Sequence, residues 1–205
     1  QTATEEPDET RLLALRDSAR QGAFPGEVKL TLLPFLVKAV ARALQEHPYL
    51  NSSLDDDAQE IILKRYYNIG VAVDTPDGLM VPVIKGVTEK TVLEIAREMT
   101  QLAQKARSRT IDLADLQGGT FTVTNYGSVG GILGTPIIRH PEAAILGVGR
   151  VLERPVVRAG EIHVVPILPL SLSFDHRVVD GAEAARFLNT LIRLIQEPGL
   201  ILVGT

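Results

Sequence analysis

One stretch limits what this chain can become more than any other. Between Leu170 and Phe174 the residues alternate, Leu170, Leu172 and Phe174 against Ser171 and Ser173, which is the period of a strand with one face in a core. An apolar run from Val164 to Leu170 leads into it. From Ala182 the period changes, and Ala185, Leu188, Leu191, Ile192 and Ile195 recur at helical spacing. The switch happens within Asp175-His176-Arg177-Val178-Val179-Asp180-Gly181. Any fold must bring a buried strand out of a sheet, turn it, and lay a helix back on the core. One imidazole sits in that turn, four residues before an acid. Rigid elements on both sides position such a group while the turn exposes it, which suits a reacting side chain.

Taken alone, His-x-x-x-Asp is a common spacing, and a salt-bridged surface histidine is its ordinary reading. The other histidines offer less: His47, before Pro48, fits a donor at a helix end, His140 lies in a loop, and His163 sits in a strand beside Glu161. His176 and Asp180 lack further ligands for a metal hydrolase, so no metal is expected. The chain has no cysteine, which excludes thiol nucleophiles, disulfides and cysteine–zinc cages. Its net charge of −4 is spread over interspersed acids and bases, with no basic face for nucleic acid. No apolar run approaches the roughly 20 residues of a membrane helix. The polar, acidic start at Gln1 shows no signal peptide and suggests a piece of a longer chain. A cytoplasmic setting fits, or the mitochondrial matrix in a eukaryote. At 205 residues and 45% hydrophobic content, a substantial core forms without staples.

Along the chain, residues 1–8 are polar and are expected to be poorly ordered at their beginning. Leu12, Leu13, Leu15 and Ala19 predict a short helix after Thr10, and residues 22–26, with Pro25, a loop. Thr31 is the expected cap of a helix carrying Leu33, Leu36, Val37, Val40, Ala41 and Leu44, ended by His47-Pro48. Residues 49–52 and the three acids Asp55 to Asp57 read as polar turn; the spaced ligands of a calcium loop are missing. Residues 61–64, 67–74 and 79–84 read as strands, the last two joined by the turn Thr75-Pro76-Asp77-Gly78. Thr91 and Glu94 form a capping box ahead of a helix whose apolar face runs from Val92 to Ala106. Its basic end, Lys105, Arg107 and Arg109, reads as a solvated terminus. A strand over 120–125 meets the glycine-rich turn Tyr126 to Gly131, which lacks the Gly-Lys-Ser/Thr kernel of a phosphate loop. Strands over 150–158 and 161–170 flank the turn Ala159-Gly160.

Three blocks of this sequence resemble one family, the dihydrolipoamide acyltransferases that form the catalytic cores of 2-oxo acid dehydrogenase complexes. They are Leu170-Ser-Leu-Ser-Phe-Asp-His-Arg-Val-Val-Asp-Gly181, residues 67–84, and residues 118–149 from Gly118-Gly119 through Thr120-Phe-Thr-Val-Thr-Asn-Tyr-Gly-Ser-Val-Gly-Gly131 to Gly149. Chloramphenicol acetyltransferase shares the His-x-x-x-Asp-Gly kernel. The likeness covers about residues 10–202, and residues 1–205 are read as one catalytic domain. It departs in three ways: the family's upstream basic helix and strand are missing or lie before Gln1, the lipoyl and subunit-binding domains are absent, and the chain runs on to Val203-Gly-Thr205.

The resemblance implies an α/β fold of the chloramphenicol acetyltransferase type, a mixed sheet flanked by helices, with active sites at trimer interfaces. It implies acyl transfer between dihydrolipoamide and coenzyme A, with the lipoyl group carried on a domain outside this chain. Such chemistry needs a base for the attacking thiol and a donor for the oxyanion. His176 is the available base. On the family pattern the donor maps to Thr124, with Ser128 as competitor, and Asp180 fixes the turn. Asn125, Gly127, Ser128 and Gly181 are the implied substrate-binding positions, Gly181 allowing a tight turn before the helix. Implied partners are further copies of the chain, as a trimer or cubic or icosahedral cage, a lipoyl domain, a 2-oxo acid decarboxylase and dihydrolipoamide dehydrogenase. Acetyl or branched-chain acyl groups are favoured over succinyl. The rivals are an assembly core of little activity and a coenzyme A-dependent acetyltransferase acting on a small alcohol. The apolar end, Leu200 to Val203, is expected to dock on its own core or on a neighbouring trimer.

Overall fold

The computed structural model describes residues 1–22 and 30–202. Its strands are β1 (Thr2–Glu5), β2 (Ser52–Asp55), β3 (Glu60–Leu63), β4 (Ile69–Val71), β5 (Val73–Thr75), β6 (Gly78–Met80), β7 (Val83–Ile84), β8 (Phe121–Asn125), β9 (Ala144–Val148), β10 (Leu152–Arg158), β11 (Glu161–Ile167) and β12 (Leu170–Phe174). Its helices are α1 (Thr10–Gly22), α2 (Leu33–Glu46), α3 (Val92–Arg107), α4 (Gly181–Gln196) and α5 (Gly199–Leu202). Six strands form one mixed sheet in the order β1-β12-β9-β8-β4-β7. The pairs β8/β9 and β4/β8 are parallel; the others are antiparallel. Three two-stranded hairpins, β2/β3, β5/β6 and β10/β11, surround it.

The alternation of β12 has a direct consequence in the sheet's two faces. Its register sets Leu172 beside Leu146 and Phe174 beside Ala144, and these join Phe121, Val123 and Phe187 in the core under the helices. Phe121 and Phe187 meet with ring centroids 5.9 Å apart. A fully buried Phe or Leu contributes about 1.5–3 kcal/mol by leaving water, so this layer fixes which face carries helices. On the other face Ser171, Ser173 and Thr122 are also buried, and each finds a partner. Tyr126 donates its hydroxyl hydrogen to Ser171 at 3.0 Å, Ser173 pairs with Thr2 at 2.9 Å, and Thr122 donates to Glu142 at 2.6 Å.

Helix α2 lies at the centre of the helical layer, packed against α3 and α4. Lys38 is fully buried on it. Its ammonium donates to the carbonyls of Thr88 at 3.0 Å and Lys90 at 2.6 Å, so a charge inside an apolar helix face is satisfied by backbone. His47 at the C-terminus of α2 contacts Glu183 at 2.8 Å and Thr190 at 2.9 Å, both on α4. It fastens the two helices together.

Several expectations are corrected. Residues 1–8 are not loose at their start: β1 pairs with β12 from Thr2↔Ser173 to Glu5↔Leu170, because an edge strand with open backbone groups accepts a partner. Thr31 does not cap α2; Leu32 holds the N-cap position without a side-chain bond, and Pro34 follows in the first turn. Residues 67–74 and 79–84 each divide between two sheets, β4 and β7 in the central one, β5 and β6 in a hairpin. Ser52 to Asp55 is strand rather than turn. The apolar face of α4 uses Ala184, Phe187 and Leu194 together with Leu188, Leu191 and Ile195, while Ala185 is exposed. Gly22 closes α1, and the rest of the expected 22–26 loop lies outside the described residues. In the tail, α5 buries Ile201 in its own chain's core and leaves Leu200 and Leu202 exposed; Val203 lies outside the described residues. The Thr91–Glu94 capping box is present in both directions.

Glu9, just before α1, is fully buried, and neither carboxylate oxygen has a partner among the described residues. Burial raises its pKa from 4.5 to about 7, against the lowering field of Arg16. The unfolded chain ionises first, so stability falls as pH rises from about 4.5 through 7, by roughly 3 kcal/mol in all. Denaturant titrations at pH 5 and pH 7.5 should show most of that loss in the parent protein and a correspondingly weaker pH dependence in Glu9→Gln, where the buried Glu142 remains. Equal pH dependence in the two proteins would remove Glu9 as its source.

Candidate active site

The turn after β12 is built by its own side chains. Asp175 accepts from the backbone N–H of Arg177 at 3.0 Å, and its carbonyl accepts from Val178 and Val179, each at 3.0 Å. The Arg177 guanidinium forks onto the same carboxylate, with Nη2 at 2.7 Å and Nε at 3.1 Å. That charge-assisted pair holds the Asp175 carboxyl below its ordinary range. His176 lies between the two, exposed, with its ring 5.8 Å from that of Phe174. No described residue hydrogen-bonds its imidazole. Asp180 caps α4, accepting from the Glu183 N–H at 2.7 Å. Asp175 and Arg177 hold the turn itself, and the Asp180 carboxylate fixes where the helix begins. Gly181 is not needed for a tight turn: it is the first residue of α4, its φ is not in the left-handed region, and an added Cβ would meet nothing within 4 Å.

Thr124 lies near the end of β8, half-buried, and no described residue bonds its hydroxyl. It borders two cavities. One, of about 470 Å³, is also lined by Asn125, Ser128, Met99 and Arg107. The other, of about 490 Å³, is lined by Thr122, Leu133, Ile137 and Arg139. Asn125, Gly127 and Ser128 border a third of about 260 Å³. The Ser128 hydroxyl is committed, donating to the Asn125 carbonyl at 2.9 Å. Gly127 has a steric reason, since a Cβ there would come within 2.3 Å of the Gly149 carbonyl oxygen. Gly147 similarly makes room for the Tyr126 ring, which a Cβ would meet at 2.6 Å. The glycine-rich turn is therefore a place of close backbone and ring packing.

His176 and Thr124 do not meet within the chain. Thr124 pairs with Gly147, and Ala144 pairs with Phe174, so Thr124 sits three residues along and two strands across from Phe174. That is roughly 14 Å at ordinary strand rise and spacing, and His176 lies further on. It leaves the sheet at the end where β8 and β9 begin; Thr124 stands towards the end where they finish. The sequence reading missed three contributors: Tyr126 as the ring that closes over Gly147, Arg139 on the wall of the Thr124 cavity, and the buried Glu142 that Thr122 contacts. Burial raises the Glu142 pKa. An acid within an otherwise apolar strand entry, Pro141-Glu142-Ala143-Ala144, was the available signal. Among the described residues no cluster of three metal-ligating side chains occurs, and no helix is long and apolar enough to cross a membrane.

The family model described as 2-oxoacid dehydrogenases acyltransferase (catalytic domain) matches residues 1–203. The chain is 50% identical over 202 residues to the dihydrolipoyllysine-residue acetyltransferase component of the Bacillus subtilis pyruvate dehydrogenase complex, covering 98% of this chain and 46% of that protein. It thus spans about half the length of the curated relatives it matches. A structure of Azotobacter vinelandii dihydrolipoamide acetyltransferase, made to study a serine, a histidine and an asparagine in catalysis, superimposes with a TM-score of 0.95 at 45% identity, covering 99% of this chain and 84% of that one. The cubic core of a pyruvate dehydrogenase multienzyme complex matches at 0.95 and 46% identity, with the same coverage of 99% and 84%. Chloramphenicol acetyltransferase, at a TM-score of 0.63 and 14% identity over 95% of this chain and 87% of that one, shares the fold.

Proposed function

The chain belongs to the family of 2-oxoacid dehydrogenase acyltransferase catalytic domains, and from that premise we propose that it moves an acyl group between dihydrolipoamide and coenzyme A. The observation that carries this is a family match running through both the His176 turn and the Thr124 strand end, residues 1–203. His176 takes the proton from the attacking thiol, and the thiolate sulfur adds to the thioester carbonyl carbon. Thr124 donates its hydroxyl hydrogen to the resulting oxyanion. As the intermediate collapses, the carbon–sulfur bond to the first thiol breaks and the imidazolium returns the proton to that sulfur. Asp180 sets the start of α4 at Gly181, behind the turn. Asn125, Gly127 and Ser128 shape the walls along which a thiol-bearing arm lies. Thr124, His176 and Asp180 supply a hydroxyl, an imidazole and a polar side chain, chemically close to the set studied in the Azotobacter enzyme.

Because the two half-sites face opposite ends of one sheet, a complete site takes a second copy of the chain, and a trimer is the assembly we favour, with a cage built from trimers. Residues 1–205 act as the catalytic domain, and the lipoyl arm comes from a separate domain. The decarboxylase and dihydrolipoamide dehydrogenase of a 2-oxo acid dehydrogenase complex are its partners, in the cytoplasm or, in a eukaryote, the mitochondrial matrix. The relatives' names favour acetyl as the acyl group. With free dihydrolipoamide as acceptor and acetyl-, isobutyryl- and succinyl-coenzyme A as donors, thioester formation should be fastest with acetyl and slowest with succinyl. Absence of transfer from all three by an assembled protein would overturn the assignment.

A further inference from the structure

The His176 turn is tied to a hairpin that no motif includes. The Arg177 guanidinium, already forked onto Asp175, extends Nη1 to Asp56 Oδ1 at 2.7 Å, a contact between residues 121 apart in sequence. Asp56 is presented by the β2–β3 turn, which Asp55 folds by accepting from the N–H groups of Asp57 at 3.1 Å and Ala58 at 3.0 Å. The hairpin's base is anchored in turn: Asn51 is fully buried, and its amide donates to the carbonyls of Lys64 at 2.9 Å and Tyr66 at 3.0 Å. An isolated exposed ion pair contributes little, but a network in which one guanidinium bridges two carboxylates restrains geometry. His176 has no described hydrogen bond to its ring, so the backbone on its two sides decides where the imidazole stands.

We propose that Asp56 is a positioning residue for the reaction, acting through Arg177 to hold the turn that carries His176. This rests on His176 being the reacting base. The two claims separate because one readout below needs no turnover. Asp56→Ala should lower kcat about three- to tenfold, the scale of a small misplacement of a reacting group, with KM for either thiol within about twofold and Tm unchanged. Asp56→Glu should restore at least half of the loss, Asp56→Asn should fall between, and Asp57→Ala should match the parent. With only four histidines in the chain, the imidazole C–H resonances can be assigned by substitution, and that of His176 should move in Asp56→Ala. An unmoved resonance with parental kcat overturns the proposal. A moved resonance with parental kcat overturns it too, since the hairpin then touches the turn without governing the rate. If the parent protein transfers no acyl group, the proposed function fails, and the resonance alone decides whether Asp56 holds the turn.

Discussion

Replacing His176 with alanine is expected to leave the folded assembly intact and to lower turnover by about two to four orders of magnitude, the scale of a lost general base. The structure separates the chemical effect from a structural one. The imidazole is exposed and makes no described hydrogen bond, and the turn is held by Asp175 and Arg177, which the substitution leaves in place. Particle mass and circular dichroism should therefore match the parent while thioester exchange collapses. A folded, assembled His176→Ala protein turning over near the parental rate would remove the base assignment.

The second large effect is expected at Thr124. Valine keeps the β-branched shape on β8 and removes the hydroxyl, so Thr124→Val should lose roughly 2.7–4 kcal/mol of transition-state stabilisation, about a hundred- to a thousandfold in kcat. Thr124→Ser should retain much of the activity, and affinity for coenzyme A should change little in either. Ser128 is the weaker candidate on geometry, because its hydroxyl already donates to the Asn125 carbonyl, whereas that of Thr124 is uncommitted among the described residues. Full activity in Thr124→Val would nevertheless pass the role to Ser128, and Ser128→Ala would then carry the loss.

How much of this was legible in the sequence depends on how local the cause was. The alternation of Leu170 to Phe174, the capping box at Thr91 and the turn at Ala159-Gly160 are written in neighbouring residues, and each appears where its spacing puts it. The strand at Thr2–Glu5 was not legible, because what makes it a strand is the open edge of β12, about 170 residues away. The division of residues 67–74 between two sheets escaped for the same reason: Ala72 hands its N–H to Val123, and the chain then leaves the central sheet. At the candidate site, motifs name residues and say nothing of the distances between them. Both His176 and Thr124 could be picked out by motif, yet only the strand register reveals that β12 runs against β8 and β9 and so delivers the imidazole to the far end. Asp56 escaped because an acid in a polar turn looks solvated until its partner arrives from elsewhere.

That antiparallel register bears on how many copies can work together. A chain that presents an imidazole at one end of its sheet and a hydroxyl near the other has two unlike connectors. If the proposed roles of His176 and Thr124 hold, each productive contact joins the imidazole of one copy to the hydroxyl of the next, a head-to-tail arrangement. In an open row of such copies, one connector at each end stays idle, so there is always one fewer working centre than there are chains. Closing the row into a ring removes both idle ends, and every chain then owns half of two centres. Specific rate per chain therefore steps up at closure, and dilution that opens the ring costs a whole centre with each contact broken.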